Sequence, residues 1–374
     1  MQSTRGKVAE ERDVTWAKLV RKGLEMHPKQ DRTNRPVWSW LQRDKLSAAW
    51  LQALPGPDTS LTSAEFSEAA AASLCLPSPA CADRLGQVIR GAQVVDLYGE
   101  ALQCTVTTGD HFRKRHDAFK MKLLRMCQWA GLDAEVEVFN LFAGSIPQEG
   151  LSRMERGRKV QSIVPDMRIS IPVEGNLVPS LHEIKMISSS KMRYSIHRDG
   201  QDAMRAVDKR ANELNSEYLA KARQTDQNYC GTAQGQVGPV ETKLTTLGRV
   251  HGIVVGAFGE ASDDLHSLIH HFAASRVQYA GPQKGRRGQL RSVEAEITLS
   301  TSFLRKTLSV CAVRGQARVL LGRLDVMGPG AAATAMRRNN ALLLERRWAQ
   351  QRRADCFSNI LGKTLLRRGH FKID

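Results

Sequence analysis

The residues best suited to chemistry lie in one stretch, IVPDMRISIPVEGNLVPSLHEIKMIS, from Ile163 to Ser188. It contains Pro165-Asp166 and, further on, Glu183-Ile184-Lys185. Asp166 and Glu183 offer hard oxygens to a divalent cation, Mg2+ or Mn2+, and the carbonyl of Ile184 offers a third. Lys185, projecting from the same face, is suited to orienting or deprotonating a water. For these groups to meet, the chain between them must fold back. MRISIPV alternates large apolar residues with polar or small ones, EGN is turn chemistry, and LHEIKMI alternates again, with Leu181, Glu183, Lys185 and Ile187 on one side. In an antiparallel pair, Asp166 at the start of the first strand lies beside Glu183 and Lys185 near the end of the return.

Other elements must hold that hairpin in place. A 3.6-residue period predicts a helix over 110–131, with Phe112, Phe119, Leu123, Met126, Cys127 and Ala130 on its apolar face. Its opposite face is basic, through Arg113, Lys114, Arg115, Lys120, Lys122 and Arg125. AEVEVFNLF follows as a strand, with Glu135 and Glu137 on one side. After the hairpin come a charged helix from Asp202 to Arg223, a Gly/Gln/Pro loop, the run RVHGIVVGAFGE, and a helix from Ala261 to Val277. The valine- and glycine-rich run reads as a buried central strand.

The flanks read as helical. A short helix is expected over Val14–Leu24 and another over Ser63–Leu74. Trp38, Leu41, Leu46, Trp50 and Leu54 recur in a helical manner before Pro55-Gly56-Pro57, and these tryptophans are expected to pack against helices rather than stack on bases. The loop AGPQKGRRGQ marks a boundary, beyond which arginine-rich helices are expected over Ser292–Gly315 and Gly330–Arg353. They would serve as a phosphate-binding appendage or a solvated cap, and the sequence leaves both open. The expected fold is α/β, divided into a mainly helical region 1–109, a core 110–280 and a basic helical region 281–374.

Composition narrows the partners. The 374-residue chain has a formal charge of +17, with basic residues distributed along its length, which points to a polyanion and to nucleic acid ahead of an acidic membrane surface. Seven cysteines without a CxxC pair read as thiols in a reducing compartment. No apolar run is long enough to span a bilayer, so a soluble, intracellular protein without a membrane partner is expected. Several tempting patterns fail. His182-Glu183 begins like HExxH, but position 186 is Met and the segment alternates like a strand. His266 and His270 have helical i, i+4 spacing but no third metal ligand nearby.

A helix, a three-strand unit carrying PD and then ExK 17 residues later, a helix and a further strand together resemble the core of the PD-(D/E)XK restriction-like nuclease superfamily. The resemblance covers less than half the chain. LCLPSPAC, VDLYGEALQC and RKRHDAF before a helix ending in AGL are similar, further, to the C-terminal region of retroelement polyproteins, where a Cys/His segment precedes a restriction-like endonuclease. This implies a metal-dependent DNA endonuclease with a nuclear setting, leaving 3′-hydroxyl and 5′-phosphate ends. The alternative it implies is an inactive nucleic-acid-binding protein that keeps the nuclease fold. The same resemblance sets Arg115 and His116 at the start of the first core helix near the site, with His116 alternatively a capping or phosphate-contacting residue. It makes Glu137 a candidate third carboxylate, with Glu135 competing, and Arg210 and Tyr218 candidate nucleic-acid contacts on the second long helix. The chain departs from the pattern where Cys81 lacks a CxxC partner and YGEAL lacks a histidine, so no structural zinc is expected. The oligomeric state stays open, a dimer being one option.

Overall fold

The computed structural model describes residues 44–327, apart from 75, 106–108, 140, 157–162, 174–175, 189–204 and 282–290. A 3-10 turn at Ala49–Gln52 leads to α1 (Ser63–Ser73). A capping box starts that helix: Thr62 Oγ1 accepts from the N–H of Glu65, and the Glu65 carboxylate accepts from the N–H of Thr62. A 3-10 turn (Pro79–Arg84), the small hairpin β1 (Val88–Arg90) and β2 (Gln93–Val94), and the short α2 (Glu100–Cys104) follow. The core then runs through α3 (His111–Ala130), β3 (Ala134–Val136), α4 (Gln148–Arg156), β4 (Met167–Val173), β5 (Asn176–Met186), α5 (Arg205–Tyr229), α6 (Pro239–Thr246), β6 (Val250–Val255), α7 (Asp263–Ala280) and α8 (Val293–Val326).

Four strands form one mixed sheet in the order β3-β4-β5-β6. β3 and β5 pair antiparallel with β4, and β6 pairs parallel with β5. The parallel pair requires a crossover, which α5 and α6 supply. Alternation sorts the side chains to two faces. Met167, Ile169, Ile184, Ile253 and Val255 join α3, α7 and α8 in the main core, around Phe119, Leu123, Phe272, Leu304 and Leu308. On the opposite face Leu181 and Val250 pack with Tyr218 and Ala222 of α5 and Val240 and Leu244 of α6. Ile187 and Val254 meet Val207, Ala211 and Leu214.

Several expectations change. The strand expected over AEVEVFNLF pairs for only three residues, because Glu137 takes a left-handed backbone conformation (φ 52°) and turns the chain away. Glu135 and Glu137 therefore do not share a face: Glu135 pairs with Arg168 and Glu137 with Lys120. β6, expected as a central strand, is hydrogen-bonded to β5 alone among the described strands. It is nevertheless buried, since α5 and α7 cover its faces. A Cβ added at Gly252 would lie 2.5 Å from Ala211 Cα, so only glycine admits α5 this close.

The helix expected to end at Gly315 continues to Val326. Instead of a solvated cap or an appendage, α8 is part of the main core, with Leu304, Leu308 and Ala312 packed among residues of α3 and α7. Trp50 packs as expected, buried with Ala69, Val310 and Val313 and edge-on to Phe66, whereas Leu54 of the same pattern is exposed. Trp38, Leu41, the helix expected over Val14–Leu24 and that over Gly330–Arg353 lie outside the described residues. Among the described residues no helix is long and apolar enough to cross a membrane.

Candidate active site

The hairpin register sets Met167 opposite His182, which brings the preceding Asp166 alongside Glu183 and Ile184. The backbone N–H of Ile184 donates to Asp166 Oδ2 at 2.9 Å. Helix α3 crosses this end of the sheet and contributes two residues one turn apart. His116 Nε2 lies 3.1 Å from Asp166 Oδ2 and 3.2 Å from the Ile184 carbonyl, while its Nδ1 lies 3.2 Å from Asp117 Oδ1. Lys120 Nζ lies 2.7 Å from Glu137 Oε1, 3.5 Å from Asp166 Oδ1 and 3.7 Å from Asp117 Oδ1.

Glu183 points to the α5 side. The Tyr218 hydroxyl donates to Glu183 Oε2 at 2.6 Å, and its oxygen lies 3.2 Å from the Val164 carbonyl. Lys185 pairs with Glu183 Oε1. The face predicted for Leu181, Glu183, Lys185 and Ile187 is therefore the face that meets α5, with Leu181 and Ile187 in its apolar clusters.

These contacts shift the titration of the groups that make them. Burial opposes ionisation of Asp166, but the hydrogen bond and charge of His116, the Ile184 N–H and Lys120 outweigh it and hold the carboxyl below its usual value. The Asp166 hydrogen bond raises the His116 pKa against the effect of burial. Burial works against the Lys120 ammonium as well, and Glu137, Asp166 and Asp117 overcome it to raise its pKa. Burial and the Glu183 carboxylate keep Tyr218 a phenol, hence a donor.

Asp166, Ile184 and His116 come together as expected, and Glu183 with Lys185 stands on the adjoining strand position. Four other candidates take different places. Glu137 is the ammonium partner of Lys120, its side chain 52% exposed. Arg115 is buried, because α8 covers it: its guanidinium bonds Gln316 and donates to the Met186 carbonyl at 3.1 Å. It faces the interior and not a nucleic acid. Tyr218 is likewise buried and serves Glu183. Arg210 is tied to Glu217 and Glu213 on its own helix. Lys120, read in the sequence as one residue of the basic face of this helix, is 4% exposed and lies beside Asp166. Its signal was the i, i+4 spacing from His116, which sets both on one side of α3.

Among the described residues no three His, Cys, Asp or Glu side chains are grouped so as to hold a metal ion. The donor chemistry nevertheless suits a hard dication. Two oxygens, Asp166 Oδ2 and the Ile184 carbonyl, converge on one donor, His116 Nε2, and a second carboxylate lies one residue before that carbonyl.

Comparison with protein-family models, curated proteins and solved structures finds no match.

Proposed function

We propose that the chain is a Mg2+- or Mn2+-dependent endonuclease that hydrolyses phosphodiester bonds in DNA, with a core of the PD-(D/E)XK restriction-like kind and an origin in retroelement polyproteins. The observation that supports this is the meeting of Asp166 Oδ2 and the Ile184 carbonyl at the end of the hairpin, 3.1 and 3.2 Å from His116 Nε2, with Glu183 and Lys185 flanking Ile184 in the same strand. The element order α3, β3, α4, β4, β5, α5, α6, β6, with β6 parallel to β5, contains the helix, three strands, helix and strand of that core with α4 and α6 inserted, and supports the same reading. The formal charge of +17 supports a polyanionic substrate and, with DNA as that substrate, a nuclear setting.

Asp166, Glu183 and the Ile184 carbonyl would hold the metal. When bound, it would polarise the scissile phosphate and acidify a water. The protein's own groups do the rest. Tyr218 fixes the Glu183 carboxylate through its hydroxyl. Lys185, 37% exposed, orients the attacking water and offsets charge that develops on the phosphate. His116 steadies Asp166 and the strand carbonyl from α3.

A second reading has an observation of its own. Each carboxylate is already matched by a cation or donor of the protein, Asp166 by His116 and Lys120 and Glu183 by Lys185 and Tyr218. Such self-neutralisation favours a nucleic-acid-binding protein that has kept the fold without the chemistry.

Incubation of supercoiled plasmid with the purified chain in Mg2+, Mn2+ or EDTA separates the two. Cleavage is expected with either metal and not with EDTA, leaving 5′-phosphate ends, and Asp166→Ala is expected to lower it roughly 100-fold or more. Equal cutting by wild type and Asp166→Ala would remove the site from the reaction. Tight DNA binding without any cutting would establish the second reading.

A further inference from the structure

We propose that α3, α7 and α8 together carry a platform for an unpaired DNA strand, apart from the candidate active site. The inference takes from the reading above only that the partner is a nucleic acid, and it does not depend on a metal ion.

Three helices each bring an aromatic ring to the end of α3. Trp129 of α3 and Phe303 of α8 have ring centroids 5.7 Å apart, tilted by 42°. Arg276 of α7 holds the indole: its guanidinium lies 5.0 Å from the ring centroid and donates to the Trp129 carbonyl at 3.1 Å. Tyr279, one turn further along α7, lies against Gly131, where a Cβ would stand 2.6 Å from the phenol ring. Glycine is needed there twice over, for that space and for its left-handed backbone (φ 74°). The two outer rings are open to solvent, Phe303 being 53% and Tyr279 72% exposed.

Charge decides the kind of partner. α3 and α8 run antiparallel, since Phe303 meets Trp129, Cys311 meets Ala118 and Gln316 meets Arg115. Arg125, one turn before Trp129, and Lys306, one turn after Phe303, therefore stand at one level beside the aromatic pair. Neither is paired with a carboxylate among the described residues. Of the acids at the start of α8, Glu296 is paired with Arg291, and Glu294 lies about two and a half turns before Phe303, on the opposite side of the helix. The sequence that joins α7 to α8, next to Tyr279, carries Lys284, Arg286 and Arg287 and no acidic residue. An apolar protein surface laid here would strip water from cations and give them no counter-charge. A nucleic-acid strand brings phosphates to the cations and base faces to the rings. In a duplex those faces are stacked on one another, so the strand that fits is unpaired. At 1.5 Å per residue, Trp129 stands about 20 Å along α3 from His116, which separates this surface from the candidate active site.

Fluorescence anisotropy of a labelled oligothymidylate of about 16 nucleotides, with the full chain in EDTA, tests this without turnover. Phe303→Ala and Tyr279→Ala should each weaken binding about fivefold or more, and Phe303→Tyr by less than about twofold, because it keeps a ring. Affinity for a hairpin duplex should change by less than about twofold in all three, since its base faces are hidden. Arg125→Gln combined with Lys306→Gln should make the slope of log K against log salt shallower by about 1.4, the release from two phosphates at about 0.7 each. Unchanged strand affinity in both alanine variants, an equal loss on the duplex, a loss in Phe303→Tyr as large as in Phe303→Ala, or an unchanged salt slope would each overturn the platform while leaving the nucleic-acid reading in being. So would a wild type that dimerises in sedimentation while Phe303→Ala is monomeric with its strand affinity intact, for the patch would then join two copies. Binding of neither DNA by wild type would remove the nucleic-acid reading and this inference together. Should Phe303→Ala fail to fold, Tyr279→Ala and the salt slope still decide.

Discussion

Glu183 has both oxygens engaged, one by a phenol that cannot ionise at neutral pH and one by Lys185. Tyr218→Phe removes the phenol's donor without changing shape, so single-turnover cleavage should fall by roughly 10- to 100-fold, the usual effect of losing a partner that orients a ligand. Because Tyr218 is buried, DNA affinity measured by fluorescence anisotropy should not change; a matching loss of affinity would show that it touches DNA instead. His116 and Asp166 stabilise each other in opposite pH windows. The raised His116 pKa gives a contribution complete below pH 6.5 and lost as pH rises through the folded value. The lowered Asp166 pKa gives one complete above pH 3.8 and lost as pH falls through its own. The thermal stability of wild type should therefore decline on the alkaline side of pH 6.5, and His116→Gln should flatten that decline. That Glu183 and Lys185 share one face of β5 was legible in the sequence because strand alternation is a two-residue code that leaves little choice of face. Arg115, Tyr218 and Lys120 were not, because their burial depends on α8, on α5 and on the exact turn of a basic helix, contacts that cross up to 201 residues of chain.

At the scale of elements, the hairpin and α3 carry strong periodic signals and stand where the pattern set them. What escaped was the end of β3, which depends on one backbone conformation at Glu137, and the position of β6 in the sheet, since apolar runs report burial and not hydrogen-bonding order. At Gly252, β6 comes close to Ala211 of α5. Gly252→Ala would force a methyl group against Ala211 and should cost about 1–3 kcal/mol of stability. It should also loosen Tyr218 from Glu183, so denaturant unfolding and cleavage rate should fall together. On the neighbouring strand position His182 is paired with His251, the rings stacked at 5.3 Å. Burial, with the charge of His251 adding to it, drives the His182 pKa down to about 3, and neither ring nitrogen has a hydrogen-bond partner. The unfolded chain takes up a proton there below pH 6.5 that the folded chain refuses, so this histidine costs stability as pH falls from 6.5 towards 3. His182→Phe should shrink the drop in melting temperature between pH 7 and pH 5; an unchanged drop would locate the acid sensitivity elsewhere.

At the scale of the molecule, the core is shared between segments far apart in sequence. α8 packs with α3 and α7, and Trp50 with α1 and α8, so residues before 110 and after 281 complete the packing around the sheet. Leu308→Ala should therefore cost about 2–5 kcal/mol and lower the unfolding of the whole sheet region, not of a detached helix. The α/β class was readable from periodicity, whereas the short helices α4 and α6, which stand between the expected elements, were not. That α8 belongs to the core was not, because its arginines suggested a solvated face while Arg323 in fact lies buried, donating to the Leu102 and Thr105 carbonyls. The central claim is that Asp166, Glu183 and the Ile184 carbonyl form a metal site. The most direct measurement is an anomalous difference map from a crystal of the chain soaked in Mn2+. A peak is expected within about 2.0–2.6 Å of an oxygen from each of these three residues; a map with no peak there, or with its peak on other side chains, would contradict the account.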